Sequence, residues 1–269
     1  MPELPEVETI VRDLRHSLVG QKITGVAIYW ERTVDRPSPE EFRTRLVGQR
    51  ILAVGRRGKF VVLHLEQGDL IVHLRMTGQL LVAPAEAAPE GRHLRVVLAL
   101  DGRRLLYNDA RKFGRMYLVD DAEEVLGELG PEPLEGGFTA ERLAACLGRR
   151  RGAVKSLLLD QKVLAGIGNI YADEALHMAG IAPQRPACAL SQDEIAALCR
   201  AIRGELERGI RNRGTTLSDY RDAAGREGEH RGYLRVYGRA GQPCLRCGGE
   251  IVRARVGGRS SYHCPACQR

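Results

Sequence analysis

Residues 244–267 read CLRCGGEIVRARVGGRSSYHCPAC, two Cys-x-x-Cys pairs with sixteen residues between them. Thiolates at this spacing fit a tetrahedral Zn2+ held by Cys244, Cys247, Cys264 and Cys267, each pair forming a tight knuckle. The stretch between the pairs reads as a hairpin turning at Gly257–Gly258. Four protein ligands leave no open coordination position, so such a zinc stiffens a hairpin too small to have a core of its own. The hairpin carries Arg253, Arg255 and Arg259. A rigid ribbon bearing arginines suits phosphate or groove contacts, and a structural cap is the plainer alternative. The other cysteines, Cys146, Cys188 and Cys199, are scattered in or beside helical stretches, where a free thiol is usually a small buried hydrophobe.

Outward from the hairpin, charge is unevenly spread. Residues 200–269 hold 15 Arg and no Lys against 7 acids, while the preceding residues hold 26 bases and 27 acids. A basic C-terminal third favours a polyanionic partner, nucleic acid before an acidic membrane. Hydrophobic content of 43% and charge of 28% describe a soluble globular chain. No apolar run reaches membrane-span length, and the acid-rich start lacks a secretory pattern, so a cytoplasmic address and no membrane partner are expected.

Further upstream, TAERLAACLG (139–148), AVKSLLLDQ (153–161), IYADEALHMAG (170–180) and SQDEIAALCRAIRGELERGI (191–210) have helical patterning. GELGPEPLEGG (127–137) breaks the pattern and reads as a linker. Before it, KITGVAIYW, RILAVG, KFVVLHLE, DLIVHL and HLRVVLAL are short β-rich runs, and Asp101–Gly102 is a two-residue hairpin signal. Residues 5–19 form an amphipathic helix, with Val7, Ile10, Val11, Leu14 and Leu18 on one face. The chain is thus expected to be a multi-domain α+β protein. An N-terminal helix and β-sandwich occupy 1–130, a linker 131–137, a helical domain 138–234 and a zinc module 235–269.

The start, MPELPEVE, admits two readings. It is a proline-started helix with acids matched to the helix dipole. Alternatively, removal of Met1 makes Pro2 a free secondary amine, whose ordinary pKa near 8 leaves a fraction neutral and nucleophilic. Such an amine condenses with an aldehyde carbon to a cationic iminium, with Glu3 and Glu6 in reach for proton transfer.

MPELPEVET (1–9), RRGK (56–59), HLRMTG (73–78), NDARKFG (108–114), GIGNIYADEAL (166–176), YGRAGQPC (237–244) and the paired-cysteine tail resemble the bacterial formamidopyrimidine-DNA glycosylase family, in family order and across the chain. The resemblance implies a helix–two-turn–helix architecture for the helical domain and a monomer acting on double-stranded DNA with oxidised bases or abasic sites. The implied activity is a bifunctional glycosylase and lyase of base-excision repair, removing 8-oxoguanine and formamidopyrimidines, followed by β- and δ-elimination. Pro2 would be the nucleophile and Glu3 the proton donor that opens the sugar. Glu6 would hold amine and substrate in register, Lys59 would contact phosphate beside the lesion, and Arg259 would serve the δ step. An extruded nucleotide leaves a gap, and Met76, Arg111 and Phe113 match the residues the family inserts into it. His73, His93, Arg150, Lys155 and Asn169 match further DNA contacts. Leu4 favours the purine-lesion branch over the related endonuclease VIII group. An endonuclease VIII-like enzyme for oxidised pyrimidines and a non-catalytic zinc-stabilised DNA-binding protein are the rival readings. The chain departs from common family patterns at Glu229 and His230, where aromatics are frequent, and in SSYHC (260–264), where Thr is more usual.

Overall fold

The protein is described from a computed structural model covering residues 1–86 and 91–269. Its chain forms two compact units, Met1–Glu128 with Asn212–Arg231, and Leu129–Arg211 with Gly232–Arg269.

The first unit opens with helix α1 (Leu4–Leu18), which buries Val7, Ile10, Val11, Leu14 and Leu18. Each such side chain contributes about 1.5–3 kcal/mol when taken from water. Strands β1 (Ile23–Ile28) and β2 (Val34–Arg36), helix α2 (Pro39–Leu46) and strands β3 (Ile51–Arg57), β4 (Phe60–Leu65), β5 (Asp69–His73), β6 (Gly78–Pro84), β7 (Leu94–Leu100), β8 (Arg103–Asp109) and β9 (Arg115–Val119) follow, then the short helix α3 (Glu123–Leu126). They form two sheets, β1-β7-β8-β6 and β2-β9-β5-β4-β3, antiparallel throughout except β2 with β9. Leu80, Leu98 and Leu105 from one sheet and Val61, Leu63 and Val72 from the other share one core with α1. Central β5 is buried along nearly its whole length, whereas β8 alternates buried with more open positions, as expected of a strand with one open face. The predicted turn at Asp101–Gly102 closes β7 onto β8, with Leu100 opposite Arg103.

The second unit holds helices α4 (Ala140–Leu147), α5 (Val154–Leu159), α6 (Asn169–Ala179) and α7 (Gln192–Arg211), then the hairpin of β10 (Val252–Val256) and β11 (Arg259–His263). Val256 faces Arg259 across the turn, and Gly257 and Gly258 both have positive φ, 54° and 78°. That backbone matches the right-handed twist of the strands and is costly for other residues. A Cβ on Gly257 would also meet Ser156 Oγ at 2.3 Å.

Two expectations change. The helical domain was expected over 138–234, but α7 ends at Arg211 and Asn212–Arg231 clusters with the first unit. Tyr220 and Ala223 bury themselves in that unit's core, and the Ala223 carbonyl accepts the Val82 N–H. Of the three scattered cysteines only Cys199 is buried, and Cys188 is exposed. Among the described residues no helix is long and apolar enough to cross a membrane.

Candidate active site and metal centre

In the first unit the chain start is fixed by two acids. Glu3 is the N-cap of α1, and its backbone N–H donates to Glu6 Oε2 at 2.8 Å. The other Glu6 oxygen accepts the Thr215 N–H at 2.7 Å. The first of these bonds holds the peptide joining Pro2 to Glu3, so the position of the Pro2 ring follows from it. Glu3 and Glu6 are both buried. Gly214 passes over Glu6 with φ +82°, and a Cβ there would lie 2.9 Å from Glu6 Oε1. Only glycine accommodates both that φ and that approach without strain.

Lys59 is buried on the turn between β3 and β4, next to Gly58. Arg56 ties this turn to α1, donating to Glu8 Oε2 at 3.0 Å and to the Gly58 carbonyl at 3.1 Å. Burial raises the Glu8 pKa, but hydrogen bonds from Arg12 and Arg56 outweigh it and hold the carboxyl below its ordinary value. His73, opposite Phe60 in the register of β4 and β5, is buried, and its Nδ1 accepts the Arg75 N–H at 3.0 Å. Burial, then the charges of Arg75 and Lys59, bring its pKa down to about 3, so the ring is neutral with its proton on Nε2.

The loops carrying Met76, Arg111 and Phe113 are joined by buried Asp109. It accepts the Thr77 hydroxyl and the Arg111 N–H on one oxygen and the Gly114 N–H on the other. Held this way, Met76 is 40% and Phe113 49% exposed. The Arg111 guanidinium lies over the Phe113 ring at 5.0 Å. His93 accepts from Arg92 Nε and lines a cleft of about 360 Å³ with Thr77, Gln79, Asn108 and Asp219.

In the second unit, Asn169 at the start of α6 donates to the Ser260 carbonyl at 3.0 Å, and Lys155 Nζ donates to the same oxygen at 2.8 Å. Lys155 also pairs with Asp173 at 2.7 Å, both side chains wholly buried. Asp173 in turn accepts the Ser261 hydroxyl and the Tyr262 N–H, each at 2.9 Å. Burial pushes the Asp173 carboxyl up, to about 6, even with Lys155 beside it. Lys155 was expected to touch DNA. With no exposed surface it instead locks β11 against α5 and α6, because an ammonium in the interior needs a carboxylate and a carbonyl to replace water. Arg259, whose next peptide carbonyl is held by Lys155 and Asn169, is itself exposed. Arg150 is exposed in the loop before α5, where its carbonyl accepts the Cys188 N–H.

Sequence reasoning missed Asp109, Asp173 and Glu174. Glu174 is buried and accepts the backbone N–H groups of Arg235, Val236 and Tyr237 at 2.8–2.9 Å. The available signal was an Asp–Glu pair inside an otherwise apolar helix, a position that demands partners.

The sulfur atoms of Cys244, Cys247, Cys264 and Cys267 all lie within 4.8 Å of one another, with Cys247–Cys264 at 3.5 Å and Cys244–Cys267 at 3.9 Å. Zinc–sulfur bonds of about 2.3 Å in a tetrahedron put sulfurs roughly 3.8 Å apart, so the cluster fits one structural zinc.

Comparison with known proteins agrees with this geometry. Residues 1–116 match the formamidopyrimidine-DNA glycosylase N-terminal domain, 129–221 the H2TH domain of that enzyme, and 241–269 a zinc finger found in FPG and IleRS. The proteins named formamidopyrimidine-DNA glycosylase from Pelotomaculum thermopropionicum and Chloroflexus aurantiacus are each 49% identical over 275 residues, covering all of this chain and 99% and 98% of theirs. A Lactococcus lactis FPG mutant in complex with Fapy-dG containing DNA superposes with a TM-score of 0.93 at 34% identity, with all of both chains covered. The wild-type Lactococcus lactis FPG in complex with DNA containing an oxidised pyrimidine gives 0.91 at 35%, again over both whole chains. Fold and comparisons together define a DNA glycosylase of base-excision repair with a structural zinc finger. The chain belongs to the formamidopyrimidine-DNA glycosylase family.

Proposed function

We propose that the protein excises oxidised purines, 8-oxoguanine and formamidopyrimidines, from duplex DNA and then cuts the strand at the resulting abasic site. In this reading Met1 is removed and the Pro2 nitrogen attacks C1′ of the damaged nucleotide. Glu3 gives a proton to the sugar ring as it opens, and the base departs. The iminium so formed acidifies the C2′ proton; its loss expels the 3′ phosphate, and a second elimination expels the 5′ phosphate. Glu6 positions the amine, and Lys59 contacts a phosphate near the lesion. Arg259, whose backbone is anchored in the second unit, supplies positive charge to the second leaving phosphate. Met76, Arg111 and Phe113 fill the space of the extruded nucleotide. Asn169, Arg150, His93 and the Nε2–H of His73 are assigned to DNA contacts. The protein acts as a monomer in the cytosol.

What supports the reading above all is the bond from the Thr215 N–H, 209 residues away, to the buried Glu6 carboxylate. The Glu6 bond to the Glu3 N–H is one half of an ordinary capping box, whereas a helix start alone needs no partner from so distant a segment. The test is borohydride reduction during turnover on lesion-bearing duplex. The expected product is protein covalently joined to DNA through Pro2, with no trapping in a protein tagged ahead of Pro2. An adduct mapping to Lys59, or full activity of the tagged protein, would overturn it. The Lactococcus complex with oxidised-pyrimidine DNA supports a lesion range wider than purines, and cleavage of thymine-glycol duplexes measures that range.

A further inference from the structure

The zinc module meets the end of α6 through contacts that the four cysteines do not explain. His177 lies in the last turn of α6 and is 1% exposed. Its Nε2 is 3.5 Å from Cys244 Sγ. The same sulfur accepts the Arg246 N–H at 3.4 Å, and Arg246 Nη2 donates back to the Met178 carbonyl at 3.2 Å. His177 Nδ1 is buried and has no hydrogen-bond partner.

Those two ring nitrogens decide the tautomer. Cysteine ligates zinc as a thiolate, which has no proton to give. The contact at Nε2 is then an N–H donating to sulfur, and the unpartnered Nδ1 holds a lone pair. The reverse tautomer would bury an orphaned N–H and aim a lone pair at an anionic sulfur, which is unfavourable on both counts. A zinc ion with four thiolates also carries a net negative charge, and donors to sulfur relieve it by drawing electron density away.

We propose that His177 is a positioning residue of the metal centre, a neutral imidazole whose Nε2–H bond to Cys244 ties the first knuckle to α6 and slows the loss of zinc. The assignment needs only the side chains of the second unit. Such outer hydrogen bonds to metal ligands are worth about 10–100-fold in metal affinity. Zinc takes no part in bond making at Pro2, and its transfer to a chelator is read without any cleavage assay.

The test uses the full-length zinc-loaded protein and a chromogenic chelator, with zinc transfer followed over time. His177→Phe keeps the ring volume and deletes the donor, and its zinc should transfer about 10-fold faster. His177→Gln sets an amide nitrogen at a similar reach and should stay close to the parent rate. In the unsubstituted protein, nitrogen NMR of the histidine rings should show His177 protonated on Nε2, a reading that depends on no variant folding. Parental release from His177→Phe, a His177→Gln protein as leaky as His177→Phe, or a ring protonated on Nδ1 would each overturn the assignment.

Discussion

The first unit and the hairpin module of the second are stabilised by different means. The first gathers α1, α2 and both sheets around one broad apolar core, and Glu6 is set into it through the backbone N–H groups of Glu3 and Thr215. The hairpin module of the second has a buried cluster of only Val236, Cys244, Ile251 and Cys264, two of them metal ligands. What apolar burial cannot supply there comes from the cysteine cluster and from the Lys155–Asp173 pair, which together hold β11. The contrast teaches where each is vulnerable. Truncating one side chain of a broad core costs about 2–5 kcal/mol and leaves the remaining contacts in place, whereas a metal site fails when one ligand goes and a broken buried ion pair strands a charge.

The largest expected effect is therefore on the hairpin. Cys247→Ser or strong chelation removes a metal whose binding is worth on the order of 10 kcal/mol in small zinc domains. DNA binding and nicking should disappear while the near-ultraviolet circular dichroism of the first unit persists, and nicking by a verified zinc-free protein would break the comparison. Next comes Lys155→Met, which strands Asp173 in the interior and should cost about 3–5 kcal/mol in denaturant melts. Pairing it with Asp173→Asn, which removes the stranded charge and keeps an amide to meet Ser261 and the Tyr262 N–H, should recover part of that loss. Additive losses would show that the pair is not a unit.

A smaller effect concerns pH and the first unit. The folded pKa of His73 is lowered to about 3, below the ordinary value near 6.5, so the unfolded chain binds more protons between those limits. Its contribution is present in full above about pH 6.5 and is lost as pH falls toward 3. Over that range one such proton makes stability decline by up to about 1.4 kcal/mol per pH unit, and His73→Gln should flatten the slope by that amount. The smallest change in stability is expected for exposed Arg259→Ala, within about 0.5 kcal/mol. Its signature is functional, with weaker DNA binding and δ-elimination lost more than β-elimination, judged from the two product ends at saturating enzyme.

Much of this was legible in the sequence where the signal is local. The apolar face of α1, the Asp101–Gly102 turn, the Gly257–Gly258 turn and the four zinc cysteines each declare themselves within a few neighbouring residues. What stayed hidden depends on partners far along the chain. Nothing near Glu6 announces Thr215, 209 residues away, and nothing near Lys155 announces the Ser260 carbonyl, 105 residues away. A lysine in a DNA-binding chain reads as a phosphate contact until its surroundings are known. The segment after α7 likewise gives no periodic pattern, and its allegiance to the first unit is carried by the burial of Tyr220 and Ala223.

That returning segment has a consequence for how the protein is made. Synthesis runs from the N-terminus, and domains commonly fold as their residues emerge. Here the first unit lacks its last pieces, Thr215 against Glu6 and Tyr220 in the core, until residues 212–231 have left the ribosome. By then α4 to α7 are already synthesised. The peptide after Pro2 is thus clamped late, by a partner 209 residues further along the chain. A nascent chain stalled at the linker would display the sequence of the candidate active site without the anchor that holds it.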